Sequence, residues 1–220
     1  MPEYALTVEN VTKKFGSATV LKQVSFSLEK GKIHGIIGRN GSGKSVLFKC
    51  ICGLMPVTEG KITVLGQCLG DGRQVPKSVG AIIENPGFLP NASGFTNLRY
   101  LAELSGKAEK EKISAVIAKV GLDPASKKHV GQYSLGMRQR LGLAQALMED
   151  PELLILDEPM NGLDKFGVQD MRTLFGELRD HGKTILLASH NPDDIRILCD
   201  TIYEIDAGVL TAYADTTEKE

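Results

Sequence analysis

The chain has 220 residues, 26 basic against 27 acidic side chains for a net charge of −1, and a hydrophobic fraction of 42%. That length supports one compact unit with a large core. The near-neutral balance, with no basic block, speaks against a nucleic-acid partner. The four cysteines, Cys50, Cys52, Cys68 and Cys199, form no C-x-x-C pair, so reduced thiols are expected rather than a zinc or redox site.

Residues 4–9 and 20–28 alternate apolar and polar side chains, which predicts antiparallel strands with one wet face. Residues 33–37 form a short apolar run closed by Gly38, as a buried strand would, and a helix is expected over 44–54. Two further strands are expected at 61–64 and 79–83. The second runs straight into Glu84, with a Pro-Gly turn at Pro86 and Gly87 after it. From 94 to 121 the spacing turns helical. Leu98, Leu101, Ala102 and Leu104 mark one stripe, and Ile113, Val116, Ile117 and Val120 mark another. A helix over 135–148, an apolar strand at 153–156, a helix over 166–179 and a strand at 184–188 complete the series. Strand–helix alternation around apolar runs predicts an α/β fold with a mostly parallel core sheet covered on both faces. The N-terminal portion is antiparallel β, and a helical lobe is inserted at about 88–147. The polar tail at 215–220 is expected to fray. The opening MPEYALTVEN lacks the regions of a signal peptide, and no apolar run approaches the roughly 18 residues of a spanning helix. The chain is therefore expected to stay out of the bilayer itself.

Gly38, Arg39, Asn40, Gly41, Ser42, Gly43, Lys44 and Ser45 spell G-x-x-x-x-G-K-S between a predicted strand and a predicted helix. That context makes the loop a phosphate cradle, and the fold class a P-loop NTPase. Glycines let backbone N–H groups approach phosphates, and the helix N-terminus adds its dipole. Lys44 would reach the outer phosphates, and the Ser45 hydroxyl would hold Mg²⁺. Asp157 and Glu158 end the apolar strand at 153–156, where strand C-termini line a ligand crevice. Asp157 suits Mg²⁺, directly or through water. Glu158 is placed to orient or deprotonate a water, and an acidic turn that merely solvates the strand end is the bland alternative. His190 ends a second such strand, where it would hydrogen-bond a γ-phosphate or simply pack.

Ser134 and Gly136 open the helix that precedes the 153–156 strand, which makes a second anion-binding helix N-terminus. One chain has one P-loop. A symmetric dimer, in which each turn closes over the partner's nucleotide, is the simple arrangement that uses both.

With these motifs the chain resembles the ATP-binding subunits of ABC transporters over nearly its whole length. The P-loop at 38–45, the signature turn at 133–137, the Walker B strand at 153–158, "NGLD" ending in Asp164 and the switch histidine His190 carry the resemblance. It implies that Phe15 stacks on adenine, that Ser134, Gly136 and Asp164 serve the dimer's nucleotides, and that Lys44, Glu158 and His190 carry hydrolysis. Two departures stand out. The signature reads Y-S-L-G-M rather than L-S-G-G-Q, with Leu135 for the first glycine and Met137 for the glutamine. Glu84 stands where the family usually has glutamine, and "IIENPGFLPNASGFTNLRYL" looks like the bacitracin-resistance and lantibiotic-immunity branch. That places Glu84 at the Mg²⁺ edge of the site. The expectation is a single ABC ATPase domain over 1–220 that binds ATP and Mg²⁺ and powers a permease in separate chains. It would dimerise and sit in the cytoplasm, peripheral on the inner face of the membrane. The alternatives are a soluble ABC clamp in translation or DNA repair, and a binding module that does not hydrolyse. The single ATPase unit without heptads, and the presence of Glu158 and His190, argue against them.

Overall fold

The computed structural model describes residues 3–69, 74–84, 87–106 and 109–213. Pro86, expected in the turn after Glu84, and the tail at 215–220 lie outside them. The chain runs through β1 (Tyr4–Phe15), β2 (Ala18–Glu29), β3 (Ile33–Ile37), α1 (Lys44–Ile51), β4 (Glu59–Val64), β5 (Gln67–Leu69), β6 (Val79–Ile82), α2 (Gly94–Leu104) and α3 (Lys110–Lys119). It continues through α4 (Leu135–Leu147), β7 (Leu153–Asp157), α5 (Lys165–Asp180), β8 (Thr184–Ala188), α6 (Pro192–Leu198), β9 (Thr201–Asp206) and β10 (Val209–Ala212).

Two sheets organise these elements. β1 and β2 pair antiparallel as expected, with Val8 opposite Phe26, and β4 and β5 extend them in the order β2-β1-β4-β5. The second sheet has the order β10-β9-β3-β8-β7-β6. All its pairings are parallel except that of β10 with β9.

The period of two along a strand divides the second sheet's apolar side chains between two cores. Leu154, Leu156, Ile185 and Leu187 face one cluster together with α5 and the lobe helices. Leu153, Ile155, Leu186 and Ala188 face the other, shared with α1 and the antiparallel sheet. Unbroken apolar runs follow from burial on both faces. Each buried Leu or Ile contributes about 1.5–3 kcal/mol. Because β3, β6, β7 and β8 run parallel, the 38–45 loop, Glu84, Glu158 and His190 follow their C-terminal ends at the same edge of the sheet.

Helices α2, α3 and α4 join through Leu98, Ala102, Ile113, Val116, Ile117, Leu141 and Ala144. Their apolar cluster is continuous with one face of the second sheet. Leu104, expected on the buried stripe, is instead 86% exposed. At 3.6 residues per turn it is rotated about 120° from Leu98. Helix α1 stops at Ile51 rather than 54, because Gly53 takes φ 69° and reverses the chain. Cys50, Cys52 and Cys199 are unpaired, and burial pushes their thiols up to about 11, 12 and 12, so they stay neutral. No helix among the described residues is long and apolar enough to cross a membrane.

Candidate nucleotide site

The loop between β3 and α1 holds Lys44 in place. Lys44 is 7% exposed, and its Nζ donates to Gly38 O at 2.6 Å and Arg39 O at 3.2 Å. An ammonium has three N–H donors, so one remains for a ligand. Gly43 caps α1 without a side-chain hydrogen bond, and the first turn carries no acid. The amides at this terminus are therefore open to an anion. Ser42 Oγ is buried and lacks a partner. Lys44 and the α1 terminus border a cleft of about 230 Å³ whose lining includes Asn40, Gly41, Lys44, Ser45, Asp157 and Glu158. Unmet donors on one side and carboxylates on the other fit a phosphate group with a cation between.

Ser45 Oγ donates to Asp157 Oδ2 at 2.7 Å, and Asp157 is buried. A hydroxyl beside a carboxylate is a hard-oxygen pair. Mg²⁺ takes one or two such protein ligands and completes its shell with water and phosphate, so this pair fits it.

Register brings the next two residues together. Asp157 of β7 lies opposite Ala188 of β8, and Glu158 N donates to Ala188 O at 2.9 Å. His190 Nδ1 then reaches Glu158 Oε2 at 2.7 Å, and His190 N lies 3.3 Å from the same oxygen. A carboxylate only accepts, so the Nδ1–H tautomer fits. Glu158 has φ 50°, an uncommon conformation for a residue with a side chain. Gln139 of α4, which the sequence did not single out, donates its Nε2 to Glu158 O at 3.1 Å.

Glu84 is not among the residues that line this cleft. Its Oε1 lies 2.6 Å from Lys49 Nζ. Lys49 follows Ser45 by about one turn of α1, on the same helix face. Phe15 is exposed at the β1–β2 turn, with Lys13 Nζ 4.9 Å from its ring centroid. It is not among the residues lining the cleft, to which β2 contributes Val20.

The second set of predicted residues gathers elsewhere. Ser134 caps α4 by accepting from Met137 N at 3.2 Å, and Asp164 caps α5 by accepting from Gly167 N at 2.7 Å. With Gly136, Met137 and Gly162 they line a separate cleft of about 390 Å³.

The family described as ABC transporter matches residues 21–161. The chain belongs to this family. The bacitracin transport ATP-binding protein BcrA of Enterococcus faecalis is 39% identical over 98% of this chain and 71% of its own length. The lantibiotic transport ATP-binding protein SrtF of Streptococcus pyogenes is 39% identical over 90% of this chain and 85% of its own. A solved ATP-binding subunit of an ABC transporter superposes with a TM-score of 0.86 at 26% identity, covering 96% of this chain and 90% of that one. Both sequence relatives are named for transport.

Within this ABC cassette the altered signature is absorbed locally. Leu135 packs on Gly162: a Cβ built at Gly162 would lie 2.4 Å from Leu135 Cδ2, and Gly162 also takes φ 75°. Only glycine suits that position. The bulk that replaces the usual signature glycine is thus met by a glycine in the NGLD loop of the same chain.

Proposed function

We propose that the chain hydrolyses ATP with Mg²⁺ as one of two identical cassettes that drive a membrane permease exporting a peptide antibiotic. The cassette is one unit, 1–220, with its helical lobe at about 88–147, on the cytoplasmic face of the membrane. The substrate class follows the bacitracin and lantibiotic relatives. Lys44 and the α1 amides bind the phosphates, and Phe15 stacks on the adenine. Ser45 and Asp157 hold Mg²⁺, which neutralises phosphate charge when bound. Glu158 accepts a proton from the attacking water, and His190 orients Glu158 until nucleotide arrives. Ser134, Gly136 and Asp164 act on the partner's nucleotide.

The observation that carries the paired arrangement is the separation of the two clefts. The residues lining the P-loop cleft and those lining the Ser134–Asp164 cleft do not overlap. A monomer then has half of each site. The rate should grow faster than protein concentration. Doubling the protein, while dimer is the minor species, is expected to raise ATP turnover about fourfold. Steady-state phosphate release across a dilution series, with mass checked by light scattering, reads this directly. Strict proportionality in a monomeric sample refutes the shared site. The transport reading is tested by isolating the chain from membranes with its bound proteins and by antibiotic sensitivity of a strain lacking it.

Glu84 belongs to the same reading. Its pair with Lys49 is largely exposed, and such pairs are worth about 0–1 kcal/mol, so Mg²⁺–ATP can compete for the carboxylate. Without the cation, a carboxylate about 6 Å from a phosphate charge repels it by up to roughly 3 kcal/mol at an effective dielectric of 20. Glu84→Gln is expected to reduce the gain in ATP affinity on adding Mg²⁺ by about three- to tenfold. Hydrolysis should stay within about twofold, and transport should fall further. Equal Mg²⁺ dependence in both proteins, with transport intact, makes Glu84 an ordinary turn acid.

A further inference from the structure

Gln139 is 8% exposed, although its side chain ends in an amide. Buried amides need partners, and this one donates to the carbonyl of Glu158 at 3.1 Å. Glu158 is held at φ 50°, so its peptide needs external support to keep the carboxylate aimed. Two of the supports are main-chain. Glu158 N donates to Ala188 O at 2.9 Å, and Glu158 O accepts from Asn161 N at 3.1 Å. The third comes from α4, a different element, whose first turn carries Ser134 as its cap and Gly136 within it. Gln139 follows Gly136 by less than one helical turn. A helix of packed turns moves as a body, so displacement at the cap reaches the amide undiminished.

We propose that Gln139 is a positioning residue for Glu158, and that it links the turn serving the partner's nucleotide to the water-activating carboxylate of its own subunit. The inference rests on the proposed function, in which Ser134 and Gly136 engage the partner's ATP. Nucleotide held by that turn fixes α4, and α4 fixes the Glu158 peptide through the Gln139 amide. Occupancy of one site thereby sets the geometry of the other. A purely architectural amide would instead support folding and nucleotide affinity alike.

The test is Gln139→Met, which keeps length and flexibility and removes the donor. Kinetics are measured at a protein concentration that saturates dimer formation, with ATP affinity by equilibrium binding and folding by thermal melting. The expected result is a fall in kcat of about tenfold or more, with KM and ATP affinity within about twofold. In a Glu158→Gln background, under single turnover, the same substitution should change the residual rate less than about twofold, because a residue acting through Glu158 has nothing left to act on. If Gln139→Met does not fold, Gln139→Asn draws the amide back by about 1.5 Å and should give the same split. The proposal is overturned by an unchanged kcat, by a loss shared equally between kcat and affinity, or by an undiminished loss in the Glu158→Gln background. Glu158→Gln that keeps its turnover refutes the role of Glu158 itself. Glu158→Gln inactive beside a fully active Gln139→Met refutes only the role of Gln139.

Discussion

Replacing Lys44 with alanine is expected to lower ATP turnover by a hundredfold or more, with ATP binding falling in step. Removing one preorganised donor aimed at developing charge costs about 2.7–4 kcal/mol, or a hundred- to a thousandfold in rate. Lys44 meets the conditions for the upper part of that range. It is nearly buried, so its charge acts where water screens it poorly. Two of its donors already grip Gly38 O and Arg39 O, so the remaining N–H is aimed rather than free to wander. The same two bonds create a second, smaller effect. Alanine strips both loop carbonyls of their partner, at about 1 kcal/mol each, so the melting temperature should also drop. Lys44→Met separates the two effects incompletely but usefully, because it keeps the stem packed. Both variants should melt as cooperative folds and both should fail to bind ATP in equilibrium dialysis. Hydrolysis near the wild-type rate in either one removes Lys44 from the site.

The parts of this molecule that could be read in advance are those where local pattern and tertiary role coincide. Residues 153–156 of β7 and 185–188 of β8 are apolar throughout because both faces are buried, so the strand ends were visible as Asp157 and Ala188. The P-loop was visible because its spacing, its preceding strand and its following helix are one local unit. What was missed carries either a weak local signal or a contact between distant segments. α6 was announced by Asn191 as a cap, Pro192 at the first position and two acids in the first turn, signals that its short length made easy to pass over. The β9–β10 hairpin turns at Ala207 and Gly208, both with positive φ, and alanine there hides the signal that asparagine would have given. The Lys49–Glu84 pair joins residues on α1 and at the end of β6, and no pattern in either segment anticipates it. Glu158 and His190 are a different case. Two parallel strands that each end in a chemical residue suggest neighbours at the sheet edge, and the register supplies the contact. Leu135 could be read as a departure from the signature but not explained, since the explanation is a glycine on another loop.

Glu158→Gln is expected to keep ATP affinity and lose turnover by about a hundred- to ten-thousandfold, the usual worth of a positioned general base. The substitution changes little besides proton acceptance. Glutamine has the same length, and its carbonyl oxygen can still accept the hydrogen bond that His190 Nδ1 now gives to Oε2. The backbone bonds to Ala188, Asn161 and Gln139 involve main-chain atoms and are indifferent to the change. What is lost is an acceptor basic enough to take a proton from water. Removing a negative charge beside the phosphates also relieves repulsion, so ATP should bind at least as tightly as before. On the proposed arrangement uncleaved ATP should then stay in both sites, with each Ser134 turn closed over its partner's nucleotide. With ATP and Mg²⁺ the variant should run on gel filtration at twice the mass of one chain, and ADP should return it to monomer. A variant that still turns over ATP, or one that binds ATP tightly yet stays monomeric at every concentration, would show that Glu158 is not the base or that the second cleft is not completed by a partner.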